Sequence, residues 1–257
     1  ESRVMKVLAI TNQKGGVGKT TTAVNLAASL AVEGKRVLLI DLDPQGNATT
    51  GAGITKKEAL PTVYQLLIGA ATLAEVCIAT DFAFDVLPAN RELAGAEVEL
   101  IDLSEREYRL KNALQAGRAT YDFILIDCPP ALNMLTVNGL VAADSVLIPM
   151  QCEYYALEGL SDLVETLRKV RTHLNSRLEI EGLLRTMYNA QSTLTQQVSS
   201  ELESHFGNKV YKTIVPRNVR LAEAPSYGKP VIAFDKNSKG AQAYSALAQE
   251  ILERVSP

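Results

Sequence analysis

The chain lacks residues on which several classes of protein depend. It contains no tryptophan, and its three cysteines, Cys77, Cys128 and Cys152, are odd in number and have no paired spacing. This pattern predicts a reducing cytoplasm and argues against a disulfide framework or a zinc site. The two histidines, His173 and His205, are far apart in the sequence, so we expect no histidine metal cluster.

Long hydrophobic runs are also missing. No apolar stretch reaches the roughly 18–20 residues of a membrane-spanning helix, and the N-terminus has no signal-peptide layout. No tract rich in Pro, Gly or Ser divides the chain. With 257 residues, 47% of them hydrophobic, residues 1–257 are predicted to form a single domain with a sizeable core. Met5 is a candidate native start, with residues 1–4 as an added remnant.

What the chain does contain is an alternation of short apolar runs with helical patterns. Helices are predicted over residues 18–34, closed by Gly34, over 154–172 and over 239–254. Continuous apolar strands separated by helices indicate an α/β fold, in which a mostly parallel, twisted sheet is covered by helices on both faces. The predicted strands are VMKVLAIT, RVLLID, YDFILID, DSVLIPM, EIEGLLRTMY and NKVYKTIVP.

The stretch NQKGGVGKTTT, residues 12–22, lies between the first strand and the first helix. Its glycines let backbone N–H groups approach a phosphate, Lys19 can reach phosphate oxygens, and the Thr20 hydroxyl can bind Mg²⁺. The general phosphate-loop pattern G-x-x-x-x-G-K-[ST] is broken at its first glycine, where Gln13 stands. A second lysine, Lys14, follows Gln13.

Acidic residues stand where two predicted strands end. Asp41 ends the second strand, Asp43 follows it, and Asp127 ends the YDFILID strand. The carboxyl ends of parallel strands open into one crevice, so these acids should converge beside the phosphate loop. Such a group suits Mg²⁺ coordination and the orientation of an attacking water.

Charge is distributed unevenly along the chain. Residues 81–107 carry eight acids and two bases, whereas residues 205–240 carry seven bases and two acids. A basic segment can bind nucleic-acid phosphates, although many such runs are only solvated faces. Its aromatic residues Tyr211, Tyr227 and Phe234 show no stacking pattern and are expected in the core.

The motifs KGGVGKTTT, LLIDLDPQGNAT and ILIDCPP resemble those of the deviant Walker A ATPases, the group that contains ParA/Soj, MinD and nitrogenase iron protein. The strings MQCEYYALEGL, TMYN and VPRNVRLAEAPSYGKP are similar to the chromosomal ParA/Soj partitioning ATPases in particular. The resemblance runs from about residue 5 to residue 254. It implies a P-loop NTPase fold, with ATP and Mg²⁺ bound.

The resemblance also assigns roles. Lys14 would reach across a nucleotide-sandwich dimer to the partner's phosphates, Lys19 would serve its own ATP, and Asp43 would position water for hydrolysis. Thr20 would bind Mg²⁺ directly and Asp127 through water. The ATP-binding set would be Lys14, Gly15, Gly16, Val17, Gly18, Lys19, Thr20, Thr21, Asp41, Pro216 and Asn218, with Met187 and Asn189 as weaker candidates.

The implied activity is a nucleotide switch. ATP would drive dimerisation, the dimer would bind double-stranded DNA of the nucleoid nonspecifically, and a ParB-type centromere-binding protein would stimulate hydrolysis and release. The acidic stretch 81–107 could help to receive that partner. DNA contacts are expected from Arg217 first, then Arg220, Lys229, Lys236 and Lys239. Few residues precede the first strand, so no N-terminal helix-turn-helix domain and no operator-specific binding are expected.

The same scaffold supports three other functions. A MinD-like positioning ATPase would need a basic amphipathic membrane helix, whereas this chain ends AYSALAQEILERVSP, so no stable membrane association is expected. A metabolic ligase or kinase would need a small-substrate pocket, to which no residues point. An iron–sulfur role is poorly supported because Cys128 lacks a second cysteine at suitable spacing.

Overall fold

The computed structural model describes residues 6–58, 60–117 and 120–256. The proposed start at Met5 and the remnant 1–4 lie outside the described residues. The described residues form one eight-stranded sheet with the order β3-β4-β2-β5-β1-β6-β7-β8. Its strands are β1 (Lys6–Ile10), β2 (Val37–Asp41), β3 (Ile78–Ala79), β4 (Asp85–Leu87), β5 (Phe123–Asp127), β6 (Ser145–Gln151), β7 (Glu179–Tyr188) and β8 (Val210–Pro216).

The sheet is parallel apart from the pairing of β3 with β4. The helices are α1 (Lys19–Val32), α2 (Asn47–Gly51), α3 (Val63–Leu67), α4 (Leu73–Val76), α5 (Ala96–Glu99), α6 (Arg109–Leu114), α7 (Met134–Ala142), α8 (Ala156–His173), α9 (Thr193–Phe206), α10 (Val219–Glu223), α11 (Val231–Phe234) and α12 (Lys239–Val255), with short 3-10 turns between several of them. The predicted α/β class is confirmed.

Both faces of the sheet are buried, which explains why its strands are apolar throughout rather than alternating. In β1, Val7 and Ala9 belong to one core cluster, while Leu8 and Ile10 belong to the other. The first cluster includes the apolar stripe of α8, and the second includes α1 and α12. The three predicted helices match α1, α8 and α12, and Gly34 ends the first in a left-handed conformation, with φ +81°.

The sequence patterns missed the two short strands β3 and β4. They contain two and three residues, too few to produce a recognisable hydrophobic period. β4 lies inside the acidic stretch 81–107, whose other regular elements include α5 and short 3-10 turns. No helix among residues 6–58, 60–117 and 120–256 has the length and apolar character to cross a membrane.

Gly182 in β7 is required by the packing of Tyr211. A Cβ at residue 182 would lie 2.2 Å from two ring atoms of Tyr211, a side chain with no exposed surface. We expect Gly182→Ala to lower the free energy of unfolding by about 1–3 kcal/mol, the usual cost of overpacking a core. Urea denaturation of the nucleotide-free protein measures this.

Gly159 in the exposed face of α8 is the matched control. A Cβ there meets no atom within 4 Å. Gly159→Ala should therefore raise stability by about 0.5–1 kcal/mol, because glycine weakens a helix interior. Equal effects of the two substitutions would contradict this account of the core.

Candidate active site

The alignment of three central strands determines where the candidate site lies. β5 lies between β2 and β1, and Asp127 is aligned with Asp41 on one side and with Ile10 on the other. The chain leaves β1 after Ile10 and forms the glycine-rich loop that leads into α1. The acids and the loop therefore meet at the carboxyl edge of the sheet, as predicted.

The loop exposes its backbone to an open space. Gly16 and Gly18 have φ angles of +74° and +80°, which residues with side chains rarely adopt. A Cβ at Gly15 or Gly16 would meet no atom within 4 Å, so the loop surrounds room for a ligand. No described side chain caps the N-terminus of α1, which leaves its first N–H groups available to an anion.

Asp127 holds the two reactive side chains at the start of α1. Thr20 Oγ1 donates to Asp127 Oδ2 at 2.8 Å, and Lys19 Nζ lies 3.5 Å from Asp127 Oδ1. Burial raises the pKa of the Asp127 carboxyl, while the Lys19 charge and the Thr20 hydrogen bond oppose that rise.

Thr20 and Asp127 fit a divalent cation. Asp127 Oδ1 is fully buried and has no hydrogen-bond partner among the described residues. A carboxylate oxygen beside a threonine hydroxyl is the kind of donor pair that Mg²⁺ prefers. These two residues could therefore hold the ion, directly or through water.

The carboxylate of Asp41 binds the loop that follows β2. Its carboxylate accepts hydrogen bonds from Asp43 N–H at 3.0 Å, from Thr49 N–H at 2.9 Å and from Thr49 Oγ1 at 2.7 Å. Burial, together with the charge of Asp127, raises the pKa of Asp41 to about 7. Asp41 thus supports the site by fixing this loop, and Thr49 is a site residue that sequence reasoning missed.

Most of the predicted phosphate-site residues line one cavity of about 280 Å³, whose lining does not include Val17, Asp41 or Asp127. Asp43, nearly buried, reaches it from the loop after β2, and its Oδ1 accepts Gln45 N–H at 3.0 Å. The Val17 side chain is buried in the core. The carbonyl oxygen of Val17 accepts a hydrogen bond from Thr186 Oγ1 at 2.7 Å. The lining consists of Lys14, Gly15, Gly16, Gly18, Lys19, Thr20, Thr21, Asp43, Asn47 and Pro130.

A second cavity of about 400 Å³ adjoins the first, and Gly18 and Thr21 line both. Its walls are mainly apolar, and it would accommodate a flat base. Met187 lines it, whereas Asn189 lies outside the lining and accepts Gln191 N–H at 3.1 Å. The lining consists of Gly18, Thr21, Thr186, Met187, Val215, Pro216, Arg217, Asn218, Val219, Leu221, Ala222 and Tyr244.

Two residues of this base cavity had no signal in the sequence. Thr186, near the end of β7, donates a hydrogen bond to the carbonyl oxygen of Val17 in the glycine loop. The hydroxyl of Tyr244 in α12 shares a 2.9 Å hydrogen bond with that of Thr22 in α1. Both lie more than 160 residues from their partners, so only the folded topology brings them to the site.

Lys14 stands at the exposed rim of the phosphate cavity. Its Nζ lies 2.6 Å from Glu153 Oε2, and the two side chains are 46% and 43% exposed. Its backbone N–H donates to Asn12 Oδ1 at 3.0 Å. An ion pair this exposed contributes about 0–1 kcal/mol, so it places little restraint on Lys14.

The basic residues at 217–239 do not form one uniform face. Arg217 lines the base cavity, and Arg220 is paired with Glu223 at 3.0 Å and Asp235 at 3.3 Å. Lys229, Lys236 and Lys239 are exposed, and no ion pair within the described part of the chain involves them.

One expectation for the aromatic residues of this segment was wrong. Tyr227 is 65% exposed rather than in the core. Its ring stacks on Phe234 with centroids 4.9 Å apart, and Phe234 itself is partly buried and packs against the core, as expected. Tyr211 is buried, as expected.

A parallel sheet, a glycine loop that opens α1 and acids at adjacent strand ends define a P-loop nucleotide-binding protein. A family model described as an AAA domain matches residues 5–180. Sporulation initiation inhibitor protein Soj of Bacillus subtilis is 57% identical over 247 residues, which cover 96% of this chain and 98% of that protein. Chromosome partitioning protein ParA of Caulobacter vibrioides is 52% identical, with coverages of 97% and 95%. The chain belongs to the ParA/Soj family of chromosome-partitioning ATPases.

Solved structures share the fold. The crystal structure of a Mycobacterium smegmatis protein named cobyrinic acid a,c-diamide synthase, with a bound ATP analogue and magnesium, is 37% identical. It superposes with a TM-score of 0.86 over 98% of this chain and 96% of that chain. Its identity is well below that of the partitioning proteins.

The two lysines of the loop should differ in their effect on stability. Lys19→Met removes the cation beside buried Asp127 and should cost about 3–5 kcal/mol of unfolding free energy. Lys14→Met, the same change in the same loop, should cost less than about 1 kcal/mol, since its ion pair is exposed. Urea denaturation in EDTA, without nucleotide, compares them.

The cost of Lys19→Met should depend on pH. Without Lys19, the already raised pKa of Asp127 rises further above its unfolded value, so the folded state takes up a proton at low pH. Stability relative to wild type should therefore fall as the pH increases above the ordinary titration range of an aspartate. A cost that is independent of pH, or equal for the two lysines, would contradict the role given to Asp127.

Proposed function

We propose that the chain is an ATP-dependent chromosome or plasmid partitioning ATPase, which converts ATP and water to ADP and phosphate and acts as a nucleotide switch. The observation that carries the proposal is the convergence of Lys14, Lys19 and Asp43 on one phosphate-sized cavity beside a base-sized one. The names of the relatives, above 50% identity over nearly the whole chain, support it.

Different residues would bind the triphosphate, the base, the metal ion and the attacking water. The backbone of Gly15–Thr21 and Lys19 would bind the triphosphate, while Pro216, Asn218 and Met187 would flank the base. Thr20 and Asp127 would hold Mg²⁺, which would neutralise charge at the phosphates. Asp43 would orient the attacking water, since its second carboxylate oxygen is not used in the loop hydrogen bond to Gln45.

Lys14 would act on the ATP of a second copy of the chain. Charge builds up on the γ-phosphate oxygens during transfer, and a cation supplied in trans can raise the rate about 10³–10⁵-fold. Lys14 is suited to this because it lies on the exposed rim and its ion pair with Glu153 costs little to break. ATP would then join the two copies, and hydrolysis would loosen them.

The dimer would bind nucleoid DNA without sequence preference, and a ParB-type protein would stimulate hydrolysis. Lys229, Lys236 and Lys239 are the strongest DNA candidates, because they are exposed and lack acidic partners among the described residues. Arg217 is also exposed and has no ion pair among the described residues, although it lines the base cavity as well, so it stays a candidate. Arg220 is a weaker candidate than the sequence indicated, since it holds two carboxylates.

The MinD-like alternative is less well supported. In α12 the apolar face, which includes Tyr244, Leu247 and Ile251, is buried against the core, so this helix has no free apolar face to insert into a membrane. ATP-dependent pelleting with liposomes would revive this alternative.

The trans role of Lys14 predicts a specific pattern of dimerisation. With ATP and Mg²⁺, wild type and Asp43→Ala should dimerise, because Asp43 is needed only for hydrolysis. Lys14→Ala should remain monomeric while it still binds nucleotide, and Lys19→Ala should lose nucleotide binding. Size exclusion with light scattering, together with a fluorescent-nucleotide titration, measures both properties.

Glu153→Gln is the control for the ion pair of Lys14. Because the pair contributes at most about 1 kcal/mol, this variant should change the ATP dependence of dimerisation by less than about fivefold. Dimerisation of Lys14→Ala as strong as that of wild type would remove the main support for the switch.

A further inference from the structure

A cleft of about 670 Å³ lies outside the nucleotide cavities, between the arm formed by residues 53–58 and the turn at residues 225–229. Lys56 and Lys57 line it from the arm, and Lys229 and Tyr227 line it from the turn. Asp81 is the acidic side chain in its lining. The cleft is therefore basic, and one of its walls lies far in sequence from the basic segment 205–240.

The two walls are joined through a contact of glycines. Gly53 and Gly228 have φ angles of +84° and +62°. A Cβ at Gly53 would lie 2.8 Å from the carbonyl oxygen of Gly228, so the two backbones touch with no space for a side chain. The arm and the turn are consequently held at a fixed, close distance.

The arm is also tied to the loop that carries Asp43. Lys56 Nζ donates to the carbonyl oxygen of Gln45 at 2.8 Å. The alkyl chain of Lys56 packs over Gly46, where a Cβ would lie 2.5 Å from Lys56 Cδ. The ammonium group of Lys56 is therefore occupied by a hydrogen bond within the chain. Through this bond, a change in the position of the Asp43 loop would also move the arm.

Lys57 and Lys229 are the cations that remain available. Both are exposed, and neither takes part in an ion pair within the part of the chain that the structure describes. Lysines in this state are suited to the phosphates of a nucleic-acid backbone, whose binding depends on charge and not on base sequence.

We propose that Lys57 and Lys229 bind the phosphate backbone of double-stranded DNA from the two walls of this cleft. The inference rests on the proposed function and extends it, because it places one DNA contact on the arm that follows the Asp43 loop. DNA binding would then respond to nucleotide through the contact of Lys56 with Gln45, as well as through dimerisation.

The test is a titration of duplex DNA of arbitrary sequence with the full chain, ATP and Mg²⁺ at several salt concentrations. Lys57→Ala and Lys229→Ala should each weaken binding about 3–10-fold and lower the slope of log K against log salt by about 0.9, the loss expected for one phosphate contact. Lys57→Arg, which keeps the charge, should retain the wild-type slope.

Lys169→Ala is the matched control. Lys169 is exposed on α8, which packs on the opposite face of the sheet from α1 and α12. Its removal should leave the affinity and the slope unchanged. ATP-dependent dimerisation of all four variants, measured in parallel, should equal that of wild type and so establishes that they are folded.

The outcomes separate this inference from the proposed function. If Lys229→Ala loses a phosphate contact and Lys57→Ala does not, the cleft assignment is overturned and the partitioning function stands. If Lys57→Ala keeps its affinity for duplex DNA but loses binding to vesicles rich in phosphatidylglycerol, the cleft is a lipid site and the inference also fails. If wild type with ATP does not bind duplex DNA at all, the proposed function fails and this inference fails with it.

Discussion

The buried carboxylate of Asp127 is the interaction on which the rest of the site depends. It stands at the end of a central strand, aligned with Asp41 and next to the exit of β1, and it contacts both Lys19 and Thr20. A buried charge of this kind is costly unless it is paired, so it fixes the start of α1 against the sheet. The end of the phosphate loop and the candidate metal ligands take their positions from that anchor.

Asp41 plays the corresponding part for the second loop. Through Thr49 it connects the end of β2 to α2, and Thr49 Oγ1 in turn accepts the N–H of Ala89 at 3.0 Å. The loop between them carries Asp43, and Lys56 extends the connection to the basic cleft. One continuous set of polar contacts thus runs from the phosphate cavity to the surface proposed to bind DNA.

Much of this arrangement could be predicted from the sequence, for physical reasons. Strands buried on both faces give unbroken apolar runs, and acids at their ends meet because parallel strands end at one edge. The glycine loop has a local pattern that needs no knowledge of the fold. By contrast, Glu153 lies 139 residues from Lys14, and Tyr244 lies 222 residues from Thr22, so neither pairing has a local signal. The charge count of residues 205–240 also did not reveal that Arg220 is held by two carboxylates, one of them Asp235.

The central claim is that Lys14 serves the ATP of the other copy, and a complementation experiment tests it most directly. Lys14→Ala and Asp43→Ala would be assayed for ATP hydrolysis alone and as an equimolar mixture. In a mixed dimer, the Lys14→Ala copy keeps its own Asp43 and receives Lys14 from its partner, which completes one site. The account predicts that the mixture hydrolyses ATP well above the summed rates of the separate variants. If Lys14 acted on its own ATP, no mixed site would be complete, and a mixture no more active than its components would contradict the account.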